Sequence, residues 1–379
     1  MDNNAVSDAV KHVFTFEAVP GMTLAEDVII SGGHLIAKAK TVLDSSIINK
    51  LVQYKVLEVL VENKTDSKAE TSTQNNTQDN TQNNTQTYFD KIRESESFKR
   101  YDSMFAGDIT DIKAKLDQII SSDGSGHIDT DAISKNTNEI LNEFKNSLNL
   151  LDMIHSMRST NDAVYTHCIN VALLSAVIGR WSHFSEDDIK VLTLCGLLHD
   201  IGKLMIPKNI LEKPGHLTAA EFELIKTHTV LGYEKIKNAD IDLRVKQACL
   251  LHHEKCDGSG YPNHLTGDKI PDFTKIITIA DVYDAMTSQR SYREPICPFT
   301  VISKIEADLF RLYDPKFMVP FISNIVTSYL NNNVRLSNGM TGEVVLINQN
   351  AYSRPIIKCS NNTFIDLSKE TDISITAIL

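Results

Sequence analysis

The sequence predicts a mainly α-helical protein, with a small α+β module before the helical region and a short β tail after it. Between residues 155 and 330 the apolar residues recur in helical patterns. Ser185 precedes an acidic helix start, and Thr218 and Glu221 have the spacing of a capping box. Strand-like segments occur near the two ends of the chain.

The first module is predicted over residues 1–64. Its short apolar segments are interrupted by Pro20 with Gly21 and by Gly32 with Gly33. Residues 45–52 have the pattern of one short helix. Residues 57–61 are rich in β-branched side chains, so we expect them to close a sheet that begins near residues 27–30.

Residues 65–87 contain Thr-Gln-Asn-Asn-like units in tandem, with no apolar side chain to bury after Ala69. This composition predicts a disordered linker and a domain boundary. Self-association through the Gln and Asn residues is disfavoured because no aromatic residue interrupts the tract. Beyond the linker we predict a helical domain over 88–332, and a β tail over 333–379 with a turn at Asn338 and Gly339.

The whole-chain composition excludes several classes of protein. The net charge of −11 argues against a surface that binds DNA or RNA. Six cysteines lie singly, without the spacing of a secreted disulfide scaffold. The N-terminus lacks the pattern of a signal peptide, and apolar runs such as 171–178 are too short to span a bilayer. We therefore expect a cytoplasmic protein with no membrane partner.

The most informative feature is a set of potential metal ligands. His199 and Asp200 are adjacent, and His228, the pair His252 and His253, and Asp281 follow. Imidazole and carboxylate groups suit divalent transition metals, and no Cys-x-x-Cys pair suggests a structural zinc site. On one helix, Lys203 would lie on the same face as His199, so a phosphate beside the metals would meet an ammonium group.

These residues favour phosphoester hydrolysis. Two metals that share Asp200 would bind both oxygens of an in-line phosphoryl displacement and would acidify a bridging water. A His-Asp pair can also act as the base for a nucleophile. No serine or cysteine lies in a nucleophile-elbow sequence, so this alternative is weaker.

Two segments resemble the motifs of one family. Residues 252–262, His-His-Glu-Lys-Cys-Asp-Gly-Ser-Gly-Tyr-Pro, resemble the extended motif of the HD-GYP phosphodiesterases, with His199 and Asp200 as the HD pair. Residues 281–293 resemble the segment that carries the family's last metal aspartate and its substrate-binding arginines. The resemblance covers about 154–330 and implies an HD-type helical bundle as the catalytic domain.

The resemblance also implies a binuclear centre of two divalent ions, iron or manganese, bridged by Asp200. Family members with three metals carry a glutamate four residues before the first histidine, where this chain has Ala163. Asp162 would not replace it, because one helical residue rotates a side chain by about 100°. The implied metal ligands are His167, His199, Asp200, His228, His252, His253 and Asp281.

The resemblance assigns Asp200 and Lys203 to catalysis. Each residue implied to contact substrate also has a plainer interpretation: a surface lysine, a packed tyrosine of the Gly-rich loop, surface arginines in ion pairs, or an aspartate that orients a metal ligand. The implied substrate-binding residues are Lys203, Tyr261, Asp284, Arg290 and Arg293.

The implied activity is hydrolysis of the bacterial second messenger cyclic di-GMP to linear pGpG, with GMP as a further product left open. Two alternatives remain open: hydrolysis of another nucleotide, such as cyclic GMP-AMP or a mononucleotide, and a low-turnover receptor for cyclic di-GMP. A homodimer and a signalling-protein partner also remain open.

Overall fold

The computed structural model describes residues 10–14, 21–30, 34–44, 47, 50–51, 58–62, 88–122, 127–157, 162–213, 217–287, 297–360 and 363–379. The chain divides into two compact units, Met1–Asn83 and Asn84–Leu379. This division falls within the predicted linker, 65–87, which itself lies outside the described residues. The predicted domain limits remain predictions.

The first unit contains two antiparallel pairs of strands: β1 (Val10–Phe14) with β4 (Glu58–Glu62), and β2 (Val28–Ile30) with β3 (His34–Ala37). The expectation that the strand near 57–61 closes a sheet begun near 27–30 is wrong for the strand ladders, because β4 pairs with β1; only an isolated bridge between Leu24 and Val61 joins β4 to the segment before β2. Only three residues separate β2 from β3, so these neighbours pair with each other. Most of the helix predicted at 45–52 lies outside the described residues.

The second unit is mainly helical, as predicted. Its described α-helices are α1 (Tyr88–Glu94), α2 (Glu96–Ser121), α3 (Thr130–Glu143), α4 (Ser147–Ser156), α5 (Ala163–Trp181), α6 (Glu186–Leu198), α7 (Lys208–Leu211), α8 (Ala219–Lys226), α9 (His228–Ile236), α10 (Leu243–Leu251), α11 (Asp272–Thr287), α12 (Pro298–Leu312) and α13 (Pro315–Ser328). Ile201–Met205 and Gly267–Lys269 form short 3₁₀ segments.

Two helix starts confirm the capping patterns of the sequence. The Ser185 hydroxyl accepts a hydrogen bond from the backbone N–H of Asp188 at the start of α6. Thr218 and Glu221 form a reciprocal capping box at the start of α8. These contacts satisfy backbone N–H groups that have no partner inside the helix.

Helix α5 lies in the centre of the unit, and most of its side chains are buried. It packs closely on α6: a Cβ at Gly196 would lie 2.4 Å from the Cα of Ala172. Only glycine permits this approach. The close packing places the end of α6, with His199, beside His167 on α5.

One described helix, Ala163–Trp181, is long and apolar enough to cross a membrane by length and composition. Within the fold, 67% of its most apolar stretch is buried. Its apolar stretch is longer than expected from residues 171–178 alone. Burial among neighbouring helices accounts for an apolar surface on all sides.

The C-terminal strands are β5 (Asn333–Leu336), β6 (Thr341–Leu346), β7 (Ile356–Cys359), β8 (Phe364–Asp366) and β9 (Ile375–Ile378). They form one antiparallel sheet in the order β8-β7-β6-β5-β9. Gly339 has a φ of +85° in the turn between the first two strands, as the Asn-Gly pair predicts. Apolar residues of the sheet share one core with the helices.

Candidate metal centre

All seven predicted metal ligands come together in the second unit, although the first and the last, His167 and Asp281, are 114 positions apart in the chain. They form two adjacent groups whose ligand atoms lie within 4.8 Å of one another in each group. The first group is Asp200, His228, His252 and His253, and the second is His167, His199 and Asp281.

Asp200 lies between the two groups. Its Oδ2 is 3.4 Å from His167 Nε2 and 3.3 Å from His199 Nε2. Its Oδ1 is 3.2 Å from His228 Nε2 and 3.5 Å from His252 Nε2. Each carboxylate oxygen of Asp200 therefore faces a different pair of imidazoles.

Asp281, on α11, also contacts a histidine from each group. Its Oδ1 is 3.0 Å from His167 Nε2, and its Oδ2 is 3.7 Å from His253 Nδ1. Between them, the two carboxylates contact all five imidazoles.

The ends of helices position several of these ligands. His199 caps the C-terminus of α6, His228 is the first residue of α9, and His252 caps the C-terminus of α10. A Cβ at Gly202 would lie 1.9 Å from the carbonyl oxygen of His228. Glycine at this position lets the 3₁₀ segment after Asp200 lie directly against α9.

Local hydrogen bonds orient four of the five imidazoles. In each of the four, Nδ1 lies at hydrogen-bond distance from an oxygen, so the N–H at Nδ1 donates and the lone pair at Nε2 points to the centre. The acceptors are Gly196 O for His199 (2.7 Å), Ile225 O for His228 (2.7 Å), Ala248 O for His252 (3.0 Å) and Asp284 Oδ2 for His167 (2.6 Å).

This donor set fits divalent cations. With Nδ1 protonated, the Nε2 lone pairs face carboxylate oxygens, and two acceptors cannot hydrogen-bond to each other. Among the described residues, His199 Nε2 and Asp200 Oδ1 are buried without a hydrogen-bond partner. Buried polar atoms without partners are costly, and a cation between these lone pairs would satisfy them.

The ionisation of the ligands also suits metal binding. Burial, with nearby His199, lowers the pKa of His252 to about 4, so this imidazole is neutral at pH 7. Burial raises the pKa of Asp200, but Lys203 and the surrounding histidines outweigh it and hold that pKa well below its usual range. Neutral imidazole and ionised carboxylate are the forms that bind a cation.

His167 differs from His252. Burial lowers its pKa, but the carboxylates of Asp281 and Asp284 outweigh burial and raise the pKa to about 10. Without a metal, this imidazole therefore carries a proton that a cation would displace.

Lys203 lies beside Asp200 and forms an ion pair with its Oδ2. The expectation that Lys203 and His199 share one α-helical face is wrong, because α6 ends at Leu198 and Lys203 belongs to the 3₁₀ segment. The tighter turn instead brings its ammonium group to a carboxylate three residues earlier. Lys203 therefore lies next to the metal ligands, as a phosphate-binding group requires.

Asp284 is only 2% exposed. Its Oδ2 contacts His167 Nδ1, and its Oδ1 accepts a hydrogen bond of 2.9 Å from Asn170 Nδ2. These contacts suit a residue that orients a metal ligand. Its predicted contact with substrate remains a prediction. The sequence did not single out Asn170, because one asparagine on a buried helix carries no distinctive pattern.

Tyr261 borders the metal ligands. Its ring stacks on that of His253, with centroids 4.7 Å apart and an interplanar angle of 28°. The buried carboxylate of Glu254 accepts hydrogen bonds from the backbone N–H groups of Asn263 (2.7 Å) and Leu265 (2.9 Å). Glu254 therefore fixes the loop that carries Tyr261, a role that its place in the motif did not reveal.

Two further expectations concern residues near this site. Arg290 and Arg293 lie outside the described residues, so their contact with substrate remains a prediction. Ala163 begins α5, and Asp162 Oδ1 pairs with Lys113 Nζ at 2.6 Å. Asp162 is thus engaged by a lysine of α2.

Comparison with known proteins agrees with this geometry. Residues 149–317 match the family model described as HD domain, and the match contains all seven clustered residues. This part of the chain is therefore similar to HD domains. The chain as a whole is mainly helical in its described residues, with small sheets near its two ends, as the sequence predicts.

Several curated relatives of this chain are named as phosphodiesterases of cyclic dinucleotides. The chain is 37% identical over 155 residues to the cyclic di-GMP phosphodiesterase response regulator RpfG of Xanthomonas campestris, covering 38% of this chain and 41% of that protein. It is 34% identical over 194 residues to a cyclic di-GMP phosphodiesterase of Thermotoga maritima, covering 50% and 53%. It is 36% identical over 154 residues to the 3'3'-cGAMP-specific phosphodiesterase 2 of Vibrio cholerae, covering 40% and 30%. The chain thus spans about half of the length of these relatives, or less.

Proposed function

We propose that this chain is a metal-dependent phosphodiesterase that hydrolyses cyclic di-GMP to linear pGpG in bacterial second-messenger signalling. The observation that carries the proposal is the position of Asp200, whose two oxygens face separate sets of imidazoles. Relatives named as cyclic di-GMP phosphodiesterases support the choice of substrate.

The seven clustered residues would hold two divalent ions, and we propose iron or manganese because both suit imidazole and carboxylate ligands. When bound, such ions polarise a phosphodiester and lower the pKa of a water molecule. Asp200 would keep the two ligand groups at a fixed separation. His167 is held in orientation by Asp284, and its counterparts are held by backbone carbonyls.

Lys203 would stabilise negative charge on a phosphate oxygen during cleavage. Its ammonium group already lies against Asp200, so it needs no long movement to reach a phosphate at the metal ligands. Tyr261 would line the site beside His253. Arg290 and Arg293 are proposed to contact the substrate, since guanidinium groups bind phosphate and guanine in bidentate geometry.

A cyclic GMP-AMP substrate is the second candidate, because a relative that matches this chain is named for that activity. The described residues of the metal centre show no contact that would distinguish guanine from adenine. We further propose a cytoplasmic location.

The test is product analysis with protein purified anaerobically. We expect wild-type protein to convert cyclic di-GMP to pGpG, faster than it cleaves cyclic GMP-AMP, while Asp200→Ala does neither. Faster cleavage of cyclic GMP-AMP would favour the second candidate. Metal-loaded protein that binds cyclic di-GMP but never cleaves it would instead make the chain a receptor.

A further inference from the structure

Lys226 lies at the edge of the metal centre, and neither the motifs nor the proposed mechanism gives it a role. It is the last residue of α8, two residues before His228. Its Nζ lies 5.2 Å from the centroid of the Tyr261 ring, which itself stacks on His253. The aromatic ring attracts the ammonium group and holds it against Tyr261.

The ammonium group also lies 5.9 Å from the centroid of the Phe222 ring, and its ion-pair partner is easily displaced. Lys226 Nζ lies 3.0 Å from both carboxylate oxygens of Glu223. The Glu223 side chain is 66% exposed, whereas that of Lys226 is 26% exposed. An ion pair with a solvated carboxylate contributes little to stability, so a phosphate can replace Glu223 at low cost.

Lys226 and Lys203 occupy different places around the site. Lys203 contacts the buried Asp200 between the two ligand groups, whereas Lys226 contacts Tyr261 at the border. A cyclic dinucleotide carries two phosphodiesters in one ring. When one of them lies at Asp200, the ring of the dinucleotide holds the other at a short, fixed distance from it.

We propose that Lys226 binds the phosphodiester that is not cleaved, and so makes the site selective for cyclic dinucleotides over substrates with a single phosphodiester. The inference rests on the proposed function. It assigns Lys226 a contact with phosphate and none with a base, so Lys226 supports cyclic di-GMP and cyclic GMP-AMP equally. Glu223 forms an ion pair with the ammonium group of Lys226 until substrate binds.

The test compares Lys226→Gln with wild type on cyclic di-GMP and on bis(p-nitrophenyl) phosphate, which has one phosphodiester. Loss of one charged hydrogen bond should raise KM for cyclic di-GMP about tenfold, with kcat nearly unchanged. Lys226→Arg should restore most of the affinity. KM and kcat for bis(p-nitrophenyl) phosphate should not change.

The matched control is Lys237→Gln. Lys237 forms the same type of ion pair with a glutamate three residues earlier, Glu234, and its side chain is 39% exposed. This variant should behave as wild type on both substrates. Glu223→Gln should lower KM for cyclic di-GMP about twofold, because it frees the ammonium group.

Two outcomes would overturn the inference alone: an unchanged KM for cyclic di-GMP in Lys226→Gln, or an equal loss on both substrates. The second outcome would mean that Lys226 acts through the fold or the metals. Wild-type protein that cleaves bis(p-nitrophenyl) phosphate but no cyclic dinucleotide would overturn the proposed function as well, and this result is visible without any variant.

Discussion

Replacement of Asp284 distinguishes a residue that orients a metal ligand from one that contacts substrate. Asp284 accepts a hydrogen bond from Asn170 and contacts His167 Nδ1 at 2.6 Å in a buried position. In Asp284→Asn, the amide oxygen can still accept from His167, but the amide N–H₂ then faces the N–H₂ of Asn170. Asn170 can turn its side chain over, because its Oδ1 is buried with no hydrogen-bond partner among the described residues.

We therefore expect Asp284→Asn to weaken metal binding about tenfold, the lower end of the range for such partners. Asp284→Ala leaves the N–H of His167 without this acceptor, so it should weaken metal binding about a hundredfold. These two factors correspond to losses of about 1.4 and about 2.8 kcal/mol in the free energy of metal binding. Turnover at limiting metal should fall in the same order.

The assay is titration of metal-depleted protein with manganese, followed by elemental analysis and by turnover at saturating metal. Asp187→Asn, which removes a carboxylate from an exposed ion pair with Lys190, is the control and should bind metal as wild type does. Unchanged metal affinity together with a raised KM in both Asp284 variants would refute the reasoning, because that result describes a contact with substrate.

Three further predictions test other parts of the structure. Lys203→Ala should keep both metals and lower kcat about a hundredfold, as measured by elemental analysis beside turnover. In Gly260→Ala, the new Cβ would lie 2.5 Å from Glu254 Cα and displace the Tyr261 loop. This variant should lose about 1–3 kcal/mol of stability and should also have a raised KM. An unchanged midpoint of thermal unfolding would contradict this. Burial raises the pKa of Asp108 from 3.8 to about 7, so the folded state holds this proton more tightly than the unfolded state and loses stability as pH rises between these values. In urea unfolding, the advantage of Asp108→Asn over wild type should therefore grow by up to about 4 kcal/mol from pH 4 to pH 8, and a difference independent of pH would contradict this.

The sequence predicted the parts of the fold that depend on local patterns. The capping residues Ser185 and Thr218 mark helix starts because a cap needs only its own backbone within three residues. The Asn-Gly pair at 338–339 marks a turn for the same reason. Pairing of distant strands has no such local signal, and β1 joins β4 across more than forty residues.

In the candidate metal centre, too, the sequence predicts contacts within one short segment better than contacts between distant segments. His252, His253 and Tyr261 lie in one short motif, so their proximity follows from the sequence. The contacts of Asn170 with Asp284, and of Lys226 with Tyr261, join residues from different helices or loops. They depend on tertiary packing, which periodicity and composition do not encode.

The most direct test is metal stoichiometry with product analysis on protein purified anaerobically. We expect wild-type protein to contain about two divalent ions per chain and to release pGpG from cyclic di-GMP, whereas Asp200→Ala should lose both ions and the activity together. A metal-free Asp200→Ala protein that still cleaves cyclic di-GMP, or an active wild-type protein without bound metal, would contradict the binuclear site.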